Sequence, residues 1–236
     1  MAQMNPDARI LMIDMDPQAS LTRYCGYNLD DSYFEGKSII SLFDKKVDAT
    51  SCCFSVDRLK TLSNLYLTPS GQMAAVWERD LAEHKDTILV FKQKIEELKE
   101  WFQYILLDCP PNLSFNLLSA LYVSDEVVIP VSTNYVSADS LPLLFSTIRQ
   151  MQESSDKRLS NPGLKVAGII ATMFRVNSAE NKEVLADLQS KHTILGIVKQ
   201  SAIVTKGFKR GLPVVMYSTK SEPSRAYVAI AAELMT

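Results

Sequence analysis

Two kinds of apolar spacing alternate along the chain. Residues 9–13 and 104–107 are short apolar runs, each leading straight into an acid, Asp14 and Asp108. Runs of this length without polar interruption are the pattern of strands buried on both faces. Residues 126–131 and 164–172 repeat the pattern with Val and Ile enriched, and residues 65–67 and 194–198 are shorter versions of it. Between the runs the spacing changes to three and four. Ile88, Phe91, Ile95, Leu98 and Phe102 fall on one helical face, as do Leu141, Leu144, Phe145, Ile148 and Met151, with Pro142 in the first turn where a missing N–H costs nothing. Val184, Leu185 and Leu188 mark a helix capped by Ser178, and Tyr227, Ile230, Ala231 and Leu234 mark a C-terminal one. This alternation predicts an α/β fold, a mostly parallel sheet with helices on both faces, and ligands at the carboxyl ends of the strands. Residues 152–163, with their Ser, Asn, Pro and Gly, read as a surface loop, and residues 1–236 as one domain.

Composition narrows the function classes. With 47% apolar and 22% charged residues the chain is an ordinary globular one. Its 25 Lys and Arg against 27 Asp and Glu leave a formal charge of −2, which argues against a wholesale polyanion binder. Any hold on nucleic acid must come from a local patch. The densest basic stretch is Lys199, Lys206, Lys209, Arg210, Lys220 and Arg225, and a solvated helix face is the competing reading of it. Cysteines at 25, 52, 53 and 109 match neither paired zinc knuckles nor a disulfide framework, so they read as small side chains in a reducing cytoplasm. No apolar run approaches the ~20 residues that span a bilayer, and the N-terminus has no signal pattern; no membrane role is expected.

The chemistry sits at the two acid-ended strands. Asp14-Met15-Asp16-Pro17-Gln18, with Ser20 and Thr22 behind it, follows the first. Taken alone it is equally a capped turn. The second run continues as Asp108-Cys109-Pro110-Pro111-Asn112-Leu113-Ser114, an acid followed by a diproline that forces an extended exit from the sheet. A strand-end acid is where P-loop nucleotidases hold Mg²⁺, usually through water.

Together and in this order, the stretches resemble the ParA and MinD group of partition and positioning ATPases, and ParA more closely. The resemblance covers nearly the whole chain, with further matches at Leu67-Thr68-Pro69-Ser70, Pro130-Val131, Gly211-Leu212-Pro213-Val214 and Ser224-Arg225-Ala226-Tyr227. It implies a P-loop-type fold that uses ATP and Mg²⁺. Asp16 would then orient or activate the attacking water, Asp14 would support the Mg²⁺ shell, and Asp108 would be the Walker B acid. It also implies sequence-independent DNA binding through a basic patch such as the one above, carried by a surface helix over residues 201–211. A ParB-like centromere-binding partner and a homodimer follow from the same resemblance.

Two departures qualify the match. The family's glycine-rich KGGxGK[ST]T loop, which cradles the phosphates, has no counterpart in these 236 residues, and the first strand that precedes it is missing as well. The opening Met1–Arg9 resembles the last turn of the helix after that loop. A truncated start is therefore expected, no phosphate-cradling residues can be named, and this polypeptide is expected to bind ATP poorly or not at all. The family's Ile-Pro-Arg stretch near the base pocket reads Ile197-Val198-Lys199-Gln200 here, which leaves the adenine contact unassigned. The chain ends without a basic amphipathic tail, against a MinD-like membrane role. Amide-forming synthetases on the same fold remain an analogy. A nucleotide-independent DNA- or protein-binding regulator on the same scaffold is the alternative from another class.

Overall fold

The first apolar run forms the middle of a sheet. The computed structural model describes residues 1–27, 37–56, 59, 62–71, 74, 77, 86–156 and 160–235. They divide into two compact units, Ala2–Val123 and Ser124–Thr236, the latter joined by Met1.

In the first unit four strands, β1 (Ile10–Asp14), β2 (Phe54–Ser55), β3 (Leu65–Thr68) and β4 (Tyr104–Asp108), lie in the order β2-β3-β1-β4. β1 pairs in parallel with β3 and with β4, and only the two-residue β2 runs antiparallel. The central position of β1 explains its unbroken apolar sequence, because Ile10, Leu11 and Ile13 are at most 1% exposed. Both acids stand at the carboxyl ends of their strands, as the apolar runs predict, being the last residues of β1 and β4.

The helices of this unit are α1 (Ser20–Tyr24), α2 (Thr87–Lys99) and α3 (Phe115–Val123), with 3-10 turns at Ile39–Phe43 and Ala49–Cys52. Ile88, Phe91, Ile95 and Leu98 are all buried, as their spacing predicts. Phe102 is buried too, but it lies past the helix end, where its N–H still reaches Leu98 C=O. Gln103 then donates to Arg9 C=O and begins the ladder of β4. Phe91 stacks on Phe43 with centroids 4.6 Å apart, and Phe43 meets Phe115 at 5.8 Å. This apolar cluster joins α2, α3 and the first 3-10 turn. Burying a side chain such as Phe91 contributes about 2–3 kcal/mol.

In the second unit β5 (Glu126–Ser132), β6 (Lys165–Phe174) and β7 (Ile194–Lys199) form an all-parallel sheet in that order. The helices are α4 (Tyr135–Asp139), α5 (Leu141–Glu153), α6 (Ala179–Lys191), α7 (Ala202–Lys209), α8 (Val214–Tyr217) and α9 (Glu222–Glu233). α5 continues to Glu153, so the loop expected over residues 152–163 begins two residues late; its residues 157–159 lie outside the described residues. Ser178 caps α6 as expected, its hydroxyl accepting from Asn181 N–H at 3.2 Å. No helix among the described residues is long and apolar enough to cross a membrane.

β7 and α9 touch through a glycine. A Cβ built on Gly196 would lie 2.5 Å from Ile230 Cγ1 and 2.7 Å from its Cδ1, closer than carbon atoms approach. Gly196→Ala should therefore cost about 1–3 kcal/mol of stability in urea denaturation. In an Ile230→Ala background the added methyl has room, so the double variant should be more stable than the sum of the two single effects by about 1 kcal/mol or more. Strict additivity would show that the contact does not set the helix-to-strand distance.

Candidate acid site at the ends of β1 and β4

The parallel register of β1 and β4 sets Asp14 opposite Asp108. Asp16 follows two residues later in a tight turn. Pro17 occupies the second position of that turn, where its fixed φ is favourable, and Ala19 N–H closes it on Asp16 C=O at 2.8 Å. Asp16 Oδ1 also accepts from Gln18 N–H at 2.8 Å, an Asx turn. Ala19 itself takes the left-handed conformation, φ 51°, which is unfavourable for a residue with a side chain, and it is fully buried. The first cluster is thus a rigid, mildly strained turn rather than a loose loop.

What holds this turn is Asp14. Its side chain is fully buried, and Oδ2 accepts from both Thr22 N–H (2.8 Å) and Thr22 Oγ1–H (2.7 Å), while Oδ1 accepts from Asp16 N–H (3.2 Å). Thr22 Oγ1 accepts in turn from Ser70 N–H at 2.9 Å. A hydrogen-bond chain therefore runs from the Thr68-Pro69-Ser70 exit of β3 through the first turn of α1 to the end of β1. The peptide between the two acids of the turn is held on both sides. Met15 N–H donates to Asp108 C=O at 2.9 Å, and Met15 C=O accepts from Asn116 Nδ2 at 2.9 Å, where Asn116 is a buried residue of α3. Thr22, Ser70 and Asn116 thus fix how Asp16 and Asp108 stand to each other. Thr22 was legible as a polar residue behind the motif. Asn116 gave no signal, because its partner is a backbone carbonyl 101 residues earlier.

The three carboxylates are in unequal states. Burial raises the pKa of Asp14, opposed by the donors from Thr22 and Asp16. Asp108 is pushed up to about 6, first by desolvation and then by the negative charges of Asp14 and Asp16. As a residue Asp108 is open to solvent, so water screens part of that effect. The cluster carries more negative charge than its surroundings balance, since no ion pair among the described residues involves Asp14, Asp16 or Asp108.

This donor set fits Mg²⁺ in its usual mode. Mg²⁺ binds through one or two carboxylates, retained waters and phosphate oxygens, not in an all-protein cage. Among the described residues no group of three or more His, Cys, Asp or Glu is arranged to hold a metal directly. Asp108 and the outer oxygen of Asp16 are the available ligands. Asp14 has both oxygens engaged by N–H and O–H donors, so its share in holding an ion is indirect, through the turn it fixes. None of the four cysteines forms a disulfide, and burial is the main cause that raises the thiols of Cys52, Cys53 and Cys109, the last two to about 12, so these three are not ready nucleophiles.

The basic stretch lies in the second unit. α7 carries Lys206 and Lys209 in its last turn, with Arg210 at its C-cap, where cations also favour the helix dipole. All three are exposed, as are Lys220 and Arg225. In the same turn Gly207 is buried, and a Cβ there would lie 2.9 Å from Leu212 C=O. Lys199 ends β7 and pairs with Glu222 of α9, so its charge is already countered. Beside it Gln200 accepts from Arg175 Nε.

Comparison with known proteins agrees with this architecture. The family model described as AAA domain matches residues 1–161. The sporulation initiation inhibitor protein Soj of Bacillus subtilis (strain 168) is 26% identical over 229 residues, covering 96% of this chain and 86% of Soj. The chromosome-partitioning ATPase Soj of Treponema pallidum (strain Nichols) is 25% identical over 230 residues, covering 96% and 85%. Among solved structures, McdA of Cyanothece superposes with a TM-score of 0.83 at 18% identity, both without nucleotide (98% of this chain, 90% of McdA) and as a variant in complex with ATP (99% and 87%). The likeness to McdA establishes the fold expected from the strand and helix pattern, a mostly parallel sheet with helices on both faces. On the family match the chain belongs to the AAA-domain family, and over 96% of its length it is similar to the ParA/Soj-type partition ATPases.

Proposed function

We propose that the chain acts in plasmid or chromosome partition by alternating between an ATP-bound, DNA-associated state and a released state. The observation that carries this reading is the register of Asp14 with Asp108, with Asp16 held beside them by a braced turn. Phosphoryl transfer needs positioning and charge neutralisation more than covalent chemistry from the protein. Asp16 would orient the attacking water and Asp108 would hold Mg²⁺ through water. Asp14 would keep both in place through Thr22 and the Met15 peptide. Mg²⁺, when bound, supplies charge neutralisation on the phosphates. The ATP complex of McdA supports nucleotide use in this fold. Chromosome partitioning by relatives supports non-specific DNA and a ParB-like protein as partners, in the cytoplasm, with a homodimer as the DNA-associated form.

These 236 residues contain no glycine-rich lysine loop, so the polypeptide by itself is expected to bind ATP weakly or not at all. Calorimetry with ATP and Mg²⁺, run beside a DNA-retention assay with and without nucleotide, tests the proposal. Weak ATP binding, with DNA retention that responds to ATP only at saturating concentrations, is the expected result. Tight ATP binding would overturn the expectation of a defective phosphate site. DNA retention indifferent to nucleotide at every concentration would favour a nucleotide-independent regulator.

A further inference from the structure

The helix that carries the basic stretch also carries an exposed ring. α7 reads Ala202-Ile203-Val204-Thr205-Lys206-Gly207-Phe208-Lys209 and passes into Arg210-Gly211-Leu212. Residues 188–221 hold five lysines and one arginine and no Asp or Glu, so no acid of the same segment opposes a polyanion that approaches it. Among the described residues Lys206 and Lys209 enter no ion pair. Between these two cations stands Phe208, 61% exposed, more than any other aromatic among the described residues. A ring this exposed contributes little to the core.

The turn that presents the ring is fixed. Gly211 takes φ 64°, Leu212 N–H donates to Gly207 C=O at 3.0 Å, and Gly211 N–H donates to Phe208 C=O at 2.9 Å. This paired closure ends a helix on a left-handed glycine and satisfies carbonyls that would otherwise be open. Position 207 lies against packed chain, since a Cβ there would meet Leu212 C=O. At about 100° per residue, Thr205 and Lys209 fall farthest round the helix from Gly207, with Phe208 on one flank and Lys206 on the other. All four are exposed. Ring and cations therefore sit on a backbone that is already ordered, which lowers the entropy lost on binding.

We propose that Phe208 stacks on an unpaired base of single-stranded nucleic acid while Lys206, Lys209 and Arg210 hold the flanking phosphates. The proposal deepens the DNA reading of this helix and rests on it. Cations alone hold duplex and single strand alike, through phosphate. An aromatic face adds a contact that unpaired bases can meet, whereas in a duplex both faces of each base are taken by its neighbours. Every base has such a face, so the preference is for strand state and not for sequence. Single strands of DNA and RNA share this chemistry. A lipid surface fits less well, because it requires an apolar stripe along the helix, and Ile203 and Val204 of α7 are half-buried.

The test titrates fluorescently labelled oligo-dT, oligo-U and a duplex of equal length with the 236-residue chain, at low salt with saturating ATP and Mg²⁺. Phe208→Ala should weaken single-strand binding by about 5- to 20-fold and duplex binding by less than about twofold. The strand with the larger penalty, DNA or RNA, names the ligand. Phe208→Leu, which keeps apolar bulk without a ring, should lose nearly as much, and Phe208→Trp should bind as wild type does. On an abasic strand of the same charge the Phe208→Ala penalty should vanish. Equal losses on single strand, duplex and abasic strand would make Phe208 a support of the helix and overturn the proposal. No loss at all would overturn it too, as would a larger loss on the duplex, the mark of a wedge between base pairs. Duplex binding reads the DNA function separately. If the duplex is retained and Phe208→Ala leaves single strands unaffected, this proposal falls and the DNA reading stands; a Phe208 effect on single strands without any duplex binding gives the reverse. If the chain binds neither, both fall. Binding to anionic lipid vesicles that Phe208→Ala abolishes, with oligonucleotide binding unchanged, also overturns the proposal.

Discussion

Asp14→Ala should lower the unfolding free energy by about 3 kcal/mol or more, the largest stability effect expected of any single polar substitution in the first unit. The substitution leaves three donors, Thr22 N–H, Thr22 Oγ1–H and Asp16 N–H, without their acceptor, two of them in a fully buried residue. A buried donor stripped of its partner costs about 1–3 kcal/mol. Part of this is returned because a desolvated carboxylate is removed, the same desolvation that raises the pKa of Asp14. Asp14→Asn keeps one acceptor oxygen and should lose less than half as much. Thr22→Val, which removes the hydroxyl but keeps the shape, should cost about 1–2 kcal/mol, because Ser70 N–H then also loses its acceptor. Urea denaturation in the presence and absence of Mg²⁺ separates two roles. If Asp14 ligates the ion directly, wild type should gain stability with Mg²⁺ and Asp14→Asn should not. If Asp14 acts by bracing the turn, Asp14→Asn, which keeps an acceptor oxygen, should gain stability with Mg²⁺ much as wild type does.

The two acid-ended strands could be read from sequence because both signals are local: an apolar run, an acid, then proline. Strand type was legible for the same reason in β5, β6 and β7, whose Val and Ile runs reflect burial between neighbouring structure. The elements that escaped are short or lack a period. β2 has two residues, α1 and α4 have five each, α8 has four, and the 3-10 turns at Ile39–Phe43 and Ala49–Cys52 follow no 3.6-residue repeat. α3 is apolar nearly all round, so no stripe marks it. The braces of the site were invisible for another reason. Asn116 reaches Met15 C=O, and Ser70 N–H reaches Thr22, across separations of 101 and 48 residues. Each bond uses a backbone group, which every residue carries, so no residue type at any spacing announces it. The pairing of Lys199 with Glu222 was hidden for a different reason, since a cation in sequence does not reveal which acid the fold brings beside it.

That last point sharpens the DNA prediction. Charge reversal of Lys206, Lys209 and Arg210 to glutamate should weaken retention on duplex DNA by about 100-fold or more at low salt, and should flatten the dependence of log K on log salt by about three. Each phosphate contact releases roughly one counterion, so removing three cations from the last turn of α7 and its C-cap removes about three units of slope. The loss should be uniform across DNA sequences, because phosphate contacts position a protein without reading bases. Lys199→Gln should do little by comparison, since Glu222 already holds that ammonium; Glu222→Gln, which frees it, should strengthen retention slightly. The chain as a whole is weakly acidic, at −2, so bulk attraction cannot stand in for the patch. These residues are exposed and α7 is anchored by Gly207 against Leu212, so the substitutions should leave the fold intact. Filter binding across a salt series measures both quantities. Unchanged affinity and slope would make this stretch an ordinary solvated helix face and would move any DNA contact elsewhere on the molecule.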